Sequence, residues 1–139
     1  MLLKPGRSKF KKQQKGKSFK KIYGKICNLT KNATGSVCLK AISCGRITSN
    51  QIESVRQLLS KNLKKLGKIK VSIFPDTPIT KKPIEVRMGK GKGAVDHWIF
   101  KVKPGFVLYE IETSYISLAL KSLKLSQVRL PIKTRIFCN

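Results

Sequence analysis

The sequence predicts an α+β fold: a single compact domain with two helices packed on a mixed, mostly antiparallel sheet, preceded by an extended basic N-terminal arm. Short runs that alternate apolar and polar residues recur between turn residues, and two stretches carry apolar residues at helical spacing. The early part of the chain is dense in lysine, with no acid before Glu53. The arm takes residues 1–33 and the α+β domain residues 34–139.

A first strand starts near Ser36, where Val37, Leu39 and Ile42 lead toward Gly45. Thr48 and Gln51 form a capping box, and Ile52, Val55, Leu59, Leu63 and Leu66 then follow one helical face until Gly67 ends the helix. Lys68 to Phe74 alternates, setting Ile69, Val71 and Ile73 on one side of a half-buried strand that Pro75 to Pro78 breaks. Ile84, Val86 and Met88 alternate again up to Gly89. So do Val95 to Lys103, which run into the turn Lys103-Pro104-Gly105 and a hairpin partner from Phe106 to Glu112. Thr113 or Ser114 caps a second helix ending near Gln127, with Ile116, Leu120 and Leu123 on its apolar face, and Ile132 to Phe137 closes as a strand after Pro131.

Charge narrows the choice of partner. The chain has 139 residues, of which 31 are Lys or Arg and 6 are Asp or Glu, for a net charge of +25. Such a chain repels itself unless a polyanion neutralises it, and nucleic acid supplies one negative charge per nucleotide. With 40% apolar residues it can still build a core. The apolar runs fall far short of the ~20 residues that cross a bilayer, so no membrane partner is expected. Met1, Leu2 and Leu3 pass at once into Lys4-Pro5-Gly6, which leaves no apolar stretch for a secretory signal, and Pro5, Gly6 and Gly16 spoil an amphipathic presequence. Cys27, Cys38, Cys44 and Cys138 lack paired C-x-x-C spacing and His97 is the one histidine, so no metal site is predicted and free thiols are expected.

In the arm, Lys4, Arg7, Lys9, Lys11, Lys12, Lys15, Lys17, Lys20 and Lys21 are interspersed with Phe10, Phe19 and Tyr23. Lysines can meet phosphates while aromatics stack on unpaired bases, and 25 extended residues at ~3.3 Å each reach about 80 Å into a large RNA. Further on stands Arg87-Met88-Gly89-Lys90-Gly91-Lys92-Gly93, glycine alternating with a long side chain between two predicted strands. Alternate glycines let the backbone approach a phosphate, Lys90 and Lys92 add charge, and Arg87 can grip a phosphate or a guanine edge. The spacing is not that of a dinucleotide fingerprint, no Lys-Ser or Lys-Thr follows, and the next element is strand-like, so neither ATP nor any other cofactor is predicted.

These residues carry a resemblance that covers nearly the whole chain. The basic start Lys4 to Lys12 with Lys15-Gly16-Lys17, the segments Leu39-Lys40-Ala41 and Gly45-Arg46-Ile47-Thr48, and Gln51-Ile52-Glu53 resemble one family throughout. The same holds for Phe74-Pro75-Asp76, Pro78-Ile79-Thr80, Lys82-Pro83, the Arg87 to Gly93 loop, Trp98, Pro104-Gly105, Val107 to Glu110 and Leu130 to Thr134. That family is the universal large-subunit ribosomal protein numbered sixteen in bacteria, with its archaeal and eukaryotic ten-e relatives. The resemblance implies a structural constituent of the large subunit, not an enzyme, with no catalytic residue. It implies binding to large-subunit rRNA near the peptidyl transferase centre, with the loop Arg87, Met88, Gly89, Lys90, Gly91, Lys92 and Gly93 close to aminoacyl-site tRNA. Contact with rRNA is expected from the arm lysines and Arg7 named above, and from Arg46, Lys61, Lys64 and Lys65. Neighbouring large-subunit proteins are expected partners and a homo-oligomer is not. The alternative is a transient ribosome-associated RNA-binding or RNA-chaperone factor.

Departures from the family pattern bear on origin. Ile22 to Asn32 replaces glycine- and arginine-rich sequence, and lysine is favoured strongly over arginine, as an AT-rich genome dictates. A mitochondrial ribosome is the expected location, with a plastid or a bacterial cytoplasm as the alternatives. His97 beside Trp98 is expected to be an ordinary strand histidine, and Glu110 and Glu112 to pair with lysines instead of acting as a catalytic pair.

Overall fold

The computed structural model describes residues 3–14 and 36–138. Its elements run β1 (Ser36–Ala41), β2 (Gly45–Thr48), α1 (Ser49–Leu63), β3 (Gly67–Val71), β4 (Thr77–Lys81), β5 (Ala94–Val102), β6 (Val107–Thr113), α2 (Ile116–Gln127) and β7 (Thr134–Cys138). The α+β class holds, but the strands form two sheets, ordered β3-β6-β1-β7 and β2-β5-β4, and every pairing is antiparallel.

The predicted first strand is two. β1 lies inside the larger sheet, between β6 and β7, and all its residues but Lys40 are buried. Ile42, expected in that strand, is 54% exposed because the chain leaves the sheet there. Its N–H donates to the Lys133 carbonyl at 2.8 Å, and the Ser43 hydroxyl accepts from the Lys133 N–H at 3.0 Å, before β2 joins the other sheet.

The capping box on α1 forms as expected: Thr48 Oγ1 accepts from the Gln51 N–H at 3.3 Å and Gln51 Oε1 accepts from the Thr48 N–H at 3.0 Å. Ile52, Val55, Leu59 and Leu63 are the buried residues of this helix. Its end differs from expectation. Lys64, at φ 50°, stops the helix, and Leu66 is 50% exposed beyond it. Gly67 belongs to β3, where a Cβ would come within 3.0 Å of Thr113 Cβ and 3.1 Å of the Glu112 carbonyl oxygen. It is needed there for strand approach instead of for a helix cap.

The stretch after β3 also corrects the sequence reading. Pro75 to Pro78, expected only to end a strand, does follow the end of β3, but Thr77 and Pro78 also open a new one, β4, where Pro78 is tolerated because β4 is an edge strand with one partner. Conversely Ile84, Val86 and Met88, expected as a strand, form none. They alternate without a partner strand, and the Val86 N–H closes a turn onto the Pro83 carbonyl at 3.3 Å. Period-two alternation marks a strand only where a sheet covers one face. The turn Lys103-Pro104-Gly105 forms with Gly105 at φ 81°, yet β5 and β6 are not hairpin partners: the turn carries the chain from one sheet to the other. Phe100 and Phe106, with ring centroids 5.4 Å apart, pack at that corner.

On α2 no side chain caps the N-terminus. Thr113 ends β6, donating its hydroxyl to the Leu66 carbonyl at 2.7 Å and accepting from the Tyr115 N–H at 3.1 Å. The buried face is Ala119, Ser122, Leu123 and Ser126, whereas Ile116, expected inside, is 46% exposed. Small residues let α2 lie close to its neighbours, and the two serine hydroxyls are satisfied by the Leu118 and Leu123 carbonyls. One core links the elements: Tyr109 of β6, fully buried, donates its hydroxyl to the Ile52 carbonyl of α1 at 3.1 Å.

Candidate nucleic-acid interface

β4 and β5 form a hairpin whose connecting loop spans residues 82–93 and contains the Arg87 to Gly93 motif. Gly89, Lys90 and Gly91 have φ of 99°, 49° and 87° in succession. Glycine enters this left-handed region freely, and Lys90 bears a cost of roughly 1–2 kcal/mol for doing so. Alternating glycine therefore folds the loop tip back on itself while leaving Lys90 exposed. Lys82 Nζ donates to the Gly89 carbonyl and braces the turn. Arg87, Met88, Lys90 and Lys92 are all exposed.

Gly93 plays a different part. A Cβ there would lie 2.5 Å from the Lys81 carbonyl oxygen, with backbone on both sides of the clash. Gly93→Ala should force the two ends of the loop apart and destabilise the protein by about 1–3 kcal/mol, read as a lower thermal midpoint, whereas Gly91→Ala meets nothing within 4 Å and only carries the strain of its φ.

The described arm lies against the loop. Lys12 Nζ donates to the Lys92 carbonyl at 2.9 Å, and Lys92 Nζ donates to the Gln13 carbonyl, so the two segments hold one another. Leu3 packs on the core, and Lys4, Pro5, Ser8 and Lys11 line a groove with Val95, Asp96 and Trp98 of β5. Arg7, Lys9, Lys11 and Lys12 are exposed, and Phe10, at 66% exposure, has Lys9 Nζ 5.7 Å from its ring centroid. Lys15, Lys17, Lys20 and Lys21, together with Cys27, lie outside the described residues.

Beneath arm and loop, Arg46 of β2 stands directly across from Lys101 of β5. Both line a narrow cleft with Gln13, Gln14, Thr80 and Lys92. Lys101 was not singled out from sequence; the signal available was its place in the alternating β5 run, but its partner could be known only from strand register. A second cationic group was equally hidden. Lys40 Nζ lies 4.8 Å and Arg135 Cζ 5.7 Å from the ring centroid of the part-exposed Phe137, because β1 and β7 pair Lys40 with Arg135. Lys61, Lys64 and Lys65 are exposed at the far end of α1, a 15-residue helix about 22 Å long that starts next to β5, so they are not gathered with the loop.

The few acids do not neutralise this surface. Arg56 grips Glu53 with Nη2 at 2.6 Å and Nε at 3.0 Å, and that bond holds the Glu53 carboxyl below its usual range and raises the Arg56 guanidinium. Lys70 pairs with Glu112 across β3 and β6, lowering the Glu112 carboxyl, whereas Glu110, expected to pair with a lysine as well, is buried opposite Lys70 in the strand register without an ion pair of its own among the described residues. Asp96 is bonded to His97 Nδ1 at 2.8 Å and Asp76 accepts from the Thr77 hydroxyl at 2.9 Å. Among the described residues no three His, Cys, Asp or Glu gather as a metal site, and Cys44 and Cys138 are free thiols.

The family model described as Ribosomal protein L16p/L10e matches residues 5–137, spanning arm, loop and both sheets. The chain belongs to the ribosomal protein L16p/L10e family. It is similar to the large ribosomal subunit protein uL16 of Acinetobacter baylyi, 45% identical over 135 residues, 97% of this chain and 96% of the relative. The protein of the same name from Wigglesworthia glossinidia brevipalpis is 48% identical over 133 residues, covering 96% of this chain and 94% of the relative. That from Azorhizobium caulinodans is 45% identical over 134 residues, covering 96% and 95%. In this member of the L16p/L10e family, the residues that the family model matches include both cationic segments, Lys9 to Lys12 and the Arg87 to Gly93 loop. All three relatives are bacterial.

Proposed function

We propose that this L16p/L10e family member, a structural constituent of the large ribosomal subunit, binds large-subunit rRNA through its arm and positions aminoacyl-site tRNA with the Arg87 to Gly93 loop. The observation that carries this reading is the pair of bonds from Lys12 to the Lys92 carbonyl and from Lys92 to the Gln13 carbonyl, which joins arm and loop into one cationic surface. Phosphate contacts of this kind fix geometry more than they select sequence. The domain side of the rRNA contact is Arg46 with Lys101, and Lys61, Lys64 and Lys65 at the other end of α1.

The role is positional and needs no catalytic side chain. In ribosomes assembled with Arg87→Ala or Lys90→Ala, assembly is expected to be normal, while aminoacyl-site affinity for tRNA falls by about tenfold, the worth of one charge-assisted contact. Filter binding of tRNA and the elongation rate measure it; a wild-type elongation rate in Arg87→Ala would remove the loop from tRNA positioning. A transient RNA-binding factor, the second reading, washes off the large subunit in a high-salt sucrose gradient, whereas an integral constituent stays with it.

Location follows from composition and kinship. The bacterial relatives favour a bacterial-type ribosome in a bacterial cytoplasm over a mitochondrial one. The lysine-rich bias fits an AT-rich genome of either kind, and sedimentation of organellar and cytosolic fractions separates the two.

A further inference from the structure

Ile84 and Met88 are each 100% exposed and Val86 is 52% exposed, within a loop that also carries Arg87, Lys90 and Lys92. No described residue covers Ile84 or Met88. The Val86 N–H bonded to the Pro83 carbonyl holds a turn around Ile84, and the left-handed run Gly89 to Gly91 reverses the chain just after Met88. The two side chains therefore flank the outward limb of the loop.

Phosphate oxygens cannot cover a Cδ methyl or a thioether favourably, because such groups gain only by leaving water for another apolar surface. The partner of this loop must then offer anionic oxygens and a flat apolar face within the reach of a few residues. A nucleotide does so, with phosphate beside ribose and base. An acidic protein groove is the competing surface, and the loop's cations, set against Glu85 alone among residues 82–93, favour the polyanion.

We propose that Ile84 and Met88 pack on the base or ribose face of an RNA nucleotide whose neighbouring phosphates meet Arg87 and Lys90. The inference rests on the reading that this loop faces RNA, and adds to it an apolar, salt-insensitive contact. Isoleucine and methionine insert between or against bases in other nucleic-acid-binding proteins for the same physical reason.

The test uses large subunits assembled with the full chain, either wild type, the double variant I84S/M88S or the double variant R87Q/K90Q, with tRNA bound. Acylation of 2′-hydroxyls is read across both rRNA and tRNA. In I84S/M88S one nucleotide or a short cluster should become severalfold more reactive, and the change should persist at high salt. Because both side chains are fully exposed, their replacement by serine leaves the core untouched. A profile identical to wild type overturns the inference, as does loss of a neighbouring protein from the subunit with the RNA profile unchanged. If I84S/M88S is silent while R87Q/K90Q alters the profile, the loop still faces RNA and only the apolar contact falls. If both are silent, the reading of the loop falls with it.

Discussion

Replacing Lys9, Lys11 and Lys12 together by glutamine should weaken association with large-subunit rRNA by roughly 100- to 500-fold near 0.1 M salt. Each phosphate contact contributes about 0.7–0.9 to the slope of log K against log salt, so removing all of them lowers the slope by about 2–2.7. Over the decade from 1 M to 0.1 M that slope is the stated loss. Titrations of the intact chain against rRNA at several salt concentrations measure it, and an unchanged slope would show that these exposed lysines do not meet phosphate. Lys12 also bonds to Lys92. The double variant at Lys9 and Lys11 therefore isolates the arm's own contribution, while Lys12→Gln alone releases the loop as well.

Tyr109→Ala should be the most damaging single substitution to stability, at about 3–5 kcal/mol, since the ring is completely buried and the change leaves a large cavity. In a chain of this size that corresponds to a fall in melting temperature on the order of 10–20 °C. Tyr109→Phe separates the parts. It keeps the ring and deletes only the hydroxyl's bond to the Ile52 carbonyl, which is worth about 1 kcal/mol. Burial drives the Tyr109 phenol far above its ordinary pKa, so the hydroxyl stays protonated and keeps donating throughout the physiological range. Circular dichroism melts of both variants check the ratio; equal losses would mean that the hydroxyl, not the ring, secures β6 to α1.

Much of the framework is legible in the sequence because it is local. The capping box at Thr48 and the spacing from Ile52 to Leu63 specify α1 from residues within a few positions of one another, and these side chains are the ones buried. The turn at Pro104-Gly105 is local in the same sense, and so is the glycine-lysine alternation that needs left-handed φ at Gly89 and Gly91. The errors share a cause. Ile84, Val86 and Met88 have the pattern of a strand and no partner, while Thr77–Lys81 has a proline and a partner that accepts it at an edge. Which alternating segment becomes a strand is decided by what lies next to it.

The candidate interface divides along the same line. By itself the sequence determined that the chain is strongly cationic, that lysine is dense in its early part and that a glycine-lysine loop interrupts its strands, because charge and backbone freedom are properties of the residues themselves. Only the tertiary structure decided that Lys12 and Lys92 hold arm to loop, that Arg46 meets Lys101, that Lys40 and Arg135 meet at Phe137, and that Lys61 to Lys65 stand apart. Those are contacts between segments distant in the chain, set by strand register and sheet order, and a register shift of one residue would have turned the same side chains to the opposite face.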